Sequence, residues 1–273
     1  MNSFSFQRWS WLVGKHWVEN KKRYLLSIVA IFALLIFYFT FNLLTHQEGP
    51  MDRGVQIVGY FLGLFGIGCL YAGQFFSPLS SRSKGAYFLL TPASALEKLL
   101  CALLYVVVIF FTAYTAVYYL ADIIMIGIAN SIHPFYAYGT EKAVPINVFY
   151  EYNWGLGDAN LMYFFLLAFF AVQSAFLLGS VYFNQYGIVK TAIVLFLGFL
   201  ALAFLEGYLL HLFMPEGDHQ DGLSEYVSYV NNKPDKVVQL SPMVDEVVFF
   251  LGKYAIAPFL WLVTYFRLTE KEI

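Results

Sequence analysis

Tyr24-Leu25-Leu26-Ser27-Ile28-Val29-Ala30-Ile31-Phe32-Ala33-Leu34-Leu35-Ile36-Phe37-Tyr38-Phe39-Thr40-Phe41-Asn42-Leu43-Leu44-Thr45 runs without a charge, directly after the basic triplet Lys21-Lys22-Arg23. About 20 apolar residues in a helix cross a hydrocarbon core of about 30 Å, so this stretch is long enough to span a bilayer. Five more runs follow it, near 55–78, 98–122, 159–183, 190–213 and 247–267. With 24–45 they predict an all-α membrane protein of six transmembrane helices, a single domain covering 1–273. The composition agrees, at 60% hydrophobic, 12% charged and mean hydropathy +0.64.

The connecting segments alternate in charge. With a cytoplasmic N-terminus, the inner segments hold eleven basic residues, from Arg8 to Lys271, against Glu19, Glu97, Glu270 and Glu272. The outer segments hold thirteen acidic residues, Asp122 and Asp158 among them, against Arg53, Lys142, Lys233 and Lys236. Basic loops resist translocation, so both termini read as cytoplasmic. The net charge of −2 is then a cancellation of two opposed faces and says nothing about partners. Cys69 and Cys101 fall in expected spans and imply no disulfide framework. The start does not read as a cleavable signal peptide, because its first apolar run begins only at Tyr24 and is too long for one.

Residues 1–23 read as a cytoplasmic amphipathic helix. Phe6, Trp9, Val13 and Trp17 recur at helical spacing, with Gln7, Arg8 and Lys15 largely elsewhere, a pattern that suits a helix lying among lipid headgroups. Lys21-Lys22-Arg23 then anchors the turn into the bilayer against anionic lipid. Such a helix is either an anchor or a lever that couples a cytoplasmic partner to the first span. In the second span Gly59, Gly63 and Gly66 provide a small surface for close helix packing, or else a hinge.

Between the second and third spans, Pro78 ends one helix and Ser80 or Ser81 caps a short one running into Tyr87-Phe88-Leu89-Leu90. Thr91-Pro92 opens the next helix, with capping-box spacing from Ser94 to Glu97. A short amphipathic cytoplasmic helix between two sharp turns is the strongest functional candidate. Its surface residues are Leu79, Ser81, Arg82, Lys84, Tyr87, Phe88 and Leu90. On the outer side, the aromatic-rich segment 129–158 reads as a short helix or re-entrant turn at the interface, and the acidic segment 214–246 as a surface helix pair or a lid. Glu206 and Lys253 fall inside spans at similar depth and predict a buried ion pair, since an unpaired charge there is costly.

The stretch Leu89-Leu90-Thr91-Pro92-Ala93-Ser94-Ala95-Leu96-Glu97-Lys98 resembles the segment that opens the third span in permease subunits of type-2 ATP-binding-cassette (ABC) exporters. Leu177-Leu178-Gly179-Ser180-Val181-Tyr182-Phe183, followed by Lys190-Thr191, is similar to members of that family from Bacteroidetes-type bacteria. The resemblance implies an inner-membrane location, and docking of about Leu79 to Thr91, as a coupling helix, on a separate ATPase subunit. It also implies a second permease subunit, the two enclosing a translocation path in surrounding membrane lipids. ATP and Mg would then sit on the partner, leaving no cofactor in this chain. The segment 129–158 is longer than the family pattern.

The chain itself reads as a non-enzyme. It has no G-x-x-x-x-G-K-[ST] phosphate cradle, no H-E-x-x-H and no metal-ligand spacing among its five His, and no G-x-S-x-G elbow. Nothing suggests nucleic-acid binding. The expected function is the permease subunit of an ATP-driven exporter; a non-transporting membrane scaffold or signalling subunit is the alternative.

Overall fold

The computed structural model describes residues 4–45, 51–132, 142–148, 161–213, 218–220, 225–230, 233–239, 243, 247 and 250–272. For some of these, including Ser80, Arg82, Lys84, Leu89, Glu206 and the strand residues, it describes the backbone alone. Five described helices are long and apolar enough to cross a membrane: α1 (Phe6–Thr45), α2 (Arg53–Phe75), α4 (Ala95–Ile132), α5 (Leu161–Tyr182) and α6 (Gly187–Phe213). A 3-10 turn, Ser77–Ser80, and the short helix α3 (Arg82–Leu89) connect α2 to α4. The last helix, α7 (Ile256–Glu272), is entered through a π turn at Leu251–Ala255. The sixth expected span is therefore only partly among the described residues.

The expected break between a separate N-terminal helix and the first span is absent. Residues 6–45 form one helix of 40 residues, about 60 Å of rise at 1.5 Å per residue and twice the hydrocarbon thickness. No Gly or Pro lies between Gly14 and Tyr24 to end it. Two side chains close over the turns there, Asn20 Nδ2 donating to the His16 carbonyl at 3.0 Å and Ser27 Oγ to that of Arg23 at 2.8 Å.

α2 occupies the middle of the bundle, and its glycines set how near the neighbours come. A Cβ on Gly59 would lie 2.6 Å from the Tyr38 ring of α1, and one on Gly63 would strike the Tyr114 hydroxyl of α4. At Gly68 it would meet Phe169 of α5 at 2.6 Å, and at Gly73 Ile188 of α6 at 2.6 Å. Gly66 faces open space. Between lipid-embedded helices there is no hydrophobic drive, and close backbone approach supplies the attraction instead.

The buried tyrosines of this layer all find partners, as polar groups in hydrocarbon must. Tyr114 Oη donates to the Tyr60 carbonyl at 2.8 Å, Tyr118 Oη to that of Gln56 at 2.6 Å, and Tyr60 Oη pairs with Thr115 Oγ1 at 3.0 Å.

α4 is not regular throughout. Leu104–Ile109 forms a π turn, and the fully buried Gln173 of α5 donates its Nε2 to the Val106 carbonyl at 2.9 Å. A side chain entering the ladder at such a bulge satisfies a carbonyl that the wider turn takes out of register. The π turn before α7 has a different cause. Pro258 has no N–H to give and its ring crowds the carbonyl four residues earlier, which belongs to Tyr254 inside the π turn.

α7 runs parallel to α5 along its length. At one end the hydroxyls of Tyr254 and Tyr163 are 3.0 Å apart; at the other Lys271 Nζ donates to the Val181 carbonyl at 2.6 Å. The bundle thus has two ends. At the near end, Phe76, Ala95, Leu99, Phe176, Val181 and Leu268 pack in one cluster, so the start of α4, the end of α5 and the end of α7 meet there. At the far end the segment 142–148 lies over the helices in an irregular extended form, pinned by Asn130, whose side chain bonds the Ala143 N–H at 3.1 Å and carbonyl at 3.0 Å. The rest of the expected aromatic cap, 133–141 and 149–160, lies outside the described residues.

Beyond α6 the described part of the acidic segment departs from the expected helix pair. It forms a three-stranded antiparallel sheet, β1 (Asp218–Gln220), β2 (Glu225–Val230) and β3 (Lys233–Gln239), in that spatial order. Tyr226-Val227-Ser228-Tyr229-Val230 and Val237-Val238 are β-branched and aromatic, residues that suit strands. The two-residue spacing between β2 and β3 is that of a tight hairpin.

Candidate functional site

The near end gathers the residues that the sequence marks as a coupling surface. Local chemistry begins at Ser94, the N-cap of α4. Its hydroxyl accepts from the Glu97 N–H at 3.3 Å while the Glu97 carboxylate accepts from the Ser94 N–H at 2.9 Å, a complete capping box. Because Ser94 and Glu97 start the helix at Ala95, Pro92 sits in the preceding turn and not at the first helical position. α3 starts after Ser81, whose carbonyl accepts from the Gly85 N–H at 2.7 Å. A Cβ on Gly85 would press on the Leu79 backbone at 3.3 Å, so a small residue is needed where α3 folds back over the 3-10 turn.

Glu97 also fastens α1. Its carboxylate, wholly buried, accepts the Ser5 N–H at 2.8 Å and Arg8 Nη2 at 3.0 Å. Three donors from three positions thus converge on one carboxylate, which offsets its loss of water. Two turns further along, Tyr105 Oη donates to the Val13 carbonyl at 2.9 Å. His16 packs its ring on Tyr105, with centroids 4.5 Å apart, and shares a 2.5 Å hydrogen bond with Tyr24 Oη. The face of the N-terminal helix turned to the protein therefore runs through Trp9, Val13, His16, Asn20 and Tyr24, while Phe6 and Trp17 are exposed. Sequence spacing placed Trp9 and Val13 on one stripe with Phe6 and Trp17 and His16 at its flank; only the fold reveals the contacts of the His16 ring.

The residues expected to form a coupling surface divide between two directions. Leu79 and Phe88 pack inward, Phe88 edge-on to Phe76 at 5.9 Å and beneath Lys98 Nζ at 5.5 Å from its ring centroid. Ser81, Tyr87 and Leu90 point outward, Leu90 being 82% exposed. Lys15 of α1 lies over the Tyr87 ring at 4.4 Å. The side chains of Arg82 and Lys84 lie outside the described residues. Tyr186, in the turn between α5 and α6, is exposed and has a positive φ of 54°. A bulky residue in that left-handed conformation is strained, and nothing in the sequence singled it out.

α1 and the α2–α4 connection enclose a cavity of about 440 Å³, lined by Lys15, His16, Asn20, Arg23, Gln74 and Tyr87 among others. The arrangement offers a rim of cations and aromatic rings and an exposed apolar knob at Leu90. Among the described residues no group of His, Cys, Asp and Glu is placed to hold a metal ion.

Two other sequence expectations have a different outcome. The pair Glu206–Lys253 involves a Glu206 side chain outside the described residues; Lys253 Nζ lies over the Tyr163 ring at 4.7 Å, near the far end. Asp122, counted among the outer-loop acids, is fully buried, and neither carboxylate oxygen has a hydrogen-bond partner. The segment 142–148 is what covers it. Ile146 and Val148 are buried, Ile146 N–H donating to Gln56 Oε1 and Val148 N–H to Tyr119 Oη, both at 3.1 Å.

The chain matches no protein-family model, no curated protein and no solved structure. The geometry therefore carries the functional reading by itself. It defines a multi-pass helical membrane protein with a structured, partly apolar protrusion at one end.

Proposed function

We propose that this chain is the membrane-spanning permease subunit of an ATP-driven exporter, working as a pair of permease chains with a separate ATP-binding-cassette ATPase. The observation that carries the reading is the Ser77–Leu89 connection. A short helix, held between two turns and braced by Phe88 on Phe76, presents Tyr87 and Leu90 to solvent beside the tethered N-terminal helix. A surface loop with no partner needs neither the bracing nor an exposed Leu at its tip. The parallel course of α7 and α5, the sixth and fourth expected spans, supports a sixth crossing with both termini at the near end, and the basic residues of that end support its facing the cytoplasm of a bacterial inner membrane.

In this mechanism the chain performs no chemistry of its own. Nucleotide and Mg stay on the ATPase, whose closure pushes α3. Because Glu97 ties Ser5 and Arg8 to the first turn of α4, α1 and α4 move together and the bundle alternates between its two open states. A scaffold that uses the same surface for another partner is the competing reading.

Purification of the tagged chain from its native membrane in mild detergent tests it. The expected result is an accompanying chain with a phosphate-binding loop, lost on Arg82→Glu with Lys84→Glu while the permease remains folded. An ATPase-free preparation, reproduced in lipid nanodiscs, would refute the exporter and favour the scaffold.

A further inference from the structure

The cavity at the near end adjoins a second one further along α1. Its inner edge is formed by Arg23, Tyr24, Tyr71 and Gln74, and these same four residues open a second cavity of about 510 Å³. This one is a groove between α1, α2 and α4, walled by Ile28, Ile31, Leu34, Ile67, Leu70 and Phe110. Its lining on α1 runs from Trp17 to Leu34, and the part below the basic triplet, from Arg23 to Leu34, rises about 16 Å. One leaflet of hydrocarbon is about 15 Å deep, half of a 30 Å core. The groove is thus as long as a leaflet is deep, and it begins where the basic triplet and Trp17 mark the headgroup level.

The charge at the upper end has a sign. Lys15 and Arg23 face the cavity against one lining carboxylate, Glu19, which is 4.0 Å from Lys15. Arg23 commits one Nη to Gln74 Oε1, and a guanidinium carries five donors. His16 turns its nitrogen to Tyr24. A pocket whose charged lining has a cationic excess, adjoining across four shared residues an apolar slot about one leaflet deep, has the polarity of an anionic amphiphile. A peptide is a poor occupant, because the apolar walls leave its backbone groups without partners.

We propose that the two cavities form one binding site for an anionic phospholipid of the leaflet around Arg23. The phosphate lies between Lys15 and Arg23, and an acyl chain fills the groove down to Leu34. The site needs only that α1 crosses a bilayer and stands or falls independently of the permease reading.

Trp17 lines the groove and reports on it. The full chain with Trp9, Trp11, Trp154 and Trp261 replaced by Phe is placed in phosphatidylcholine nanodiscs containing a minor fraction of chain-brominated lipid. Brominated phosphatidylglycerol is expected to quench Trp17 with about fivefold higher apparent affinity than brominated phosphatidylcholine, as for one net cation near the surface. Lys15→Gln with Arg23→Gln should abolish the preference. So should Ala30→Phe with Ala113→Phe, which fills the groove and keeps every cation.

Equal quenching by the two lipids would overturn the site. A preference that survives groove filling would overturn it too, since it would reflect only the general pull of Lys21-Lys22-Arg23 on anionic lipid. Native mass spectrometry of the unmodified chain avoids any folding defect of the variants: one phosphatidylglycerol retained through delipidation is expected, and none retained refutes the proposal.

Discussion

α5 and α6 follow one another in the chain, are both almost wholly apolar, and end in opposite situations. α5 packs on α2, α6 and α7, with Phe169, Gln173, Leu177 and Val181 buried along it. α6 touches the bundle only through its first turns, where Ile188 meets Gly73 and the buried Thr191 meets Gly179. Between Phe196 and Tyr208 its described side chains are nearly all exposed, Phe199 by 69% and Phe204 by 77%. Apolarity cannot tell these helices apart, since lipid tails are as greasy as a protein core. The difference lies in the minority residues. α5 carries Gln173, Ser174, Gly179 and Ser180, groups that want a protein neighbour, while α6 from Ala192 to Leu205 offers a run of Phe, Leu, Ile, Val and Ala with Gly198.

The largest effect that would break this contrast is at Phe169. It is fully buried against Gly68 and the rings of Phe65, Phe110 and Phe111. Phe169→Ala should cost about 3–5 kcal/mol, read as a lower midpoint in denaturant titration of the detergent-solubilised protein. A cost near zero would mean that α5 is no more a core helix than α6.

A smaller loss is expected at the π turn. Gln173→Leu removes the donor to Val106 and leaves that buried carbonyl unpaired, for about 1–2 kcal/mol. The same titration measures it, and amide exchange should rise selectively over residues 104–109. Unchanged protection there would mean that the wide turn closes without help.

The smallest effect is at Phe199→Ala, which should change the stability of the isolated chain by less than about 0.5 kcal/mol. Size-exclusion chromatography with light scattering sharpens the comparison. If the change leaves stability alone but shifts the chain to a smaller species, the bare face of α6 is covered by a second chain and not by lipid.

Much of this was legible in the residues, for reasons that differ by region. The apolar runs and the Ser94–Glu97 capping box are local signals: the first five runs fall in helices long enough to cross a membrane, and the capping box starts α4. The continuity of α1 was not legible, because a basic triplet marks a membrane boundary without saying whether the helix bends there. Glu97 could be seen as a cap, but its second task, holding Ser5 and Arg8, depends on residues 92 positions away. Asp122 looked like a loop acid because its cover, the segment around Ile146, carries no pattern that reveals where it folds. In the acidic segment the pull of charge and length towards a surface helix hid the plain strand signal of Tyr226 to Val230.

The tether between Ser5 and Glu97 also has a meaning in time. Synthesis proceeds at about 5–20 residues per second, so the 92 residues separating these partners take about 5–18 s to make. Throughout that interval the first helix exists with Arg8 and His16 undocked, because neither Glu97 nor Tyr105 has yet been translated. The earliest segment of the chain must therefore wait beside the membrane for a dock that is built later.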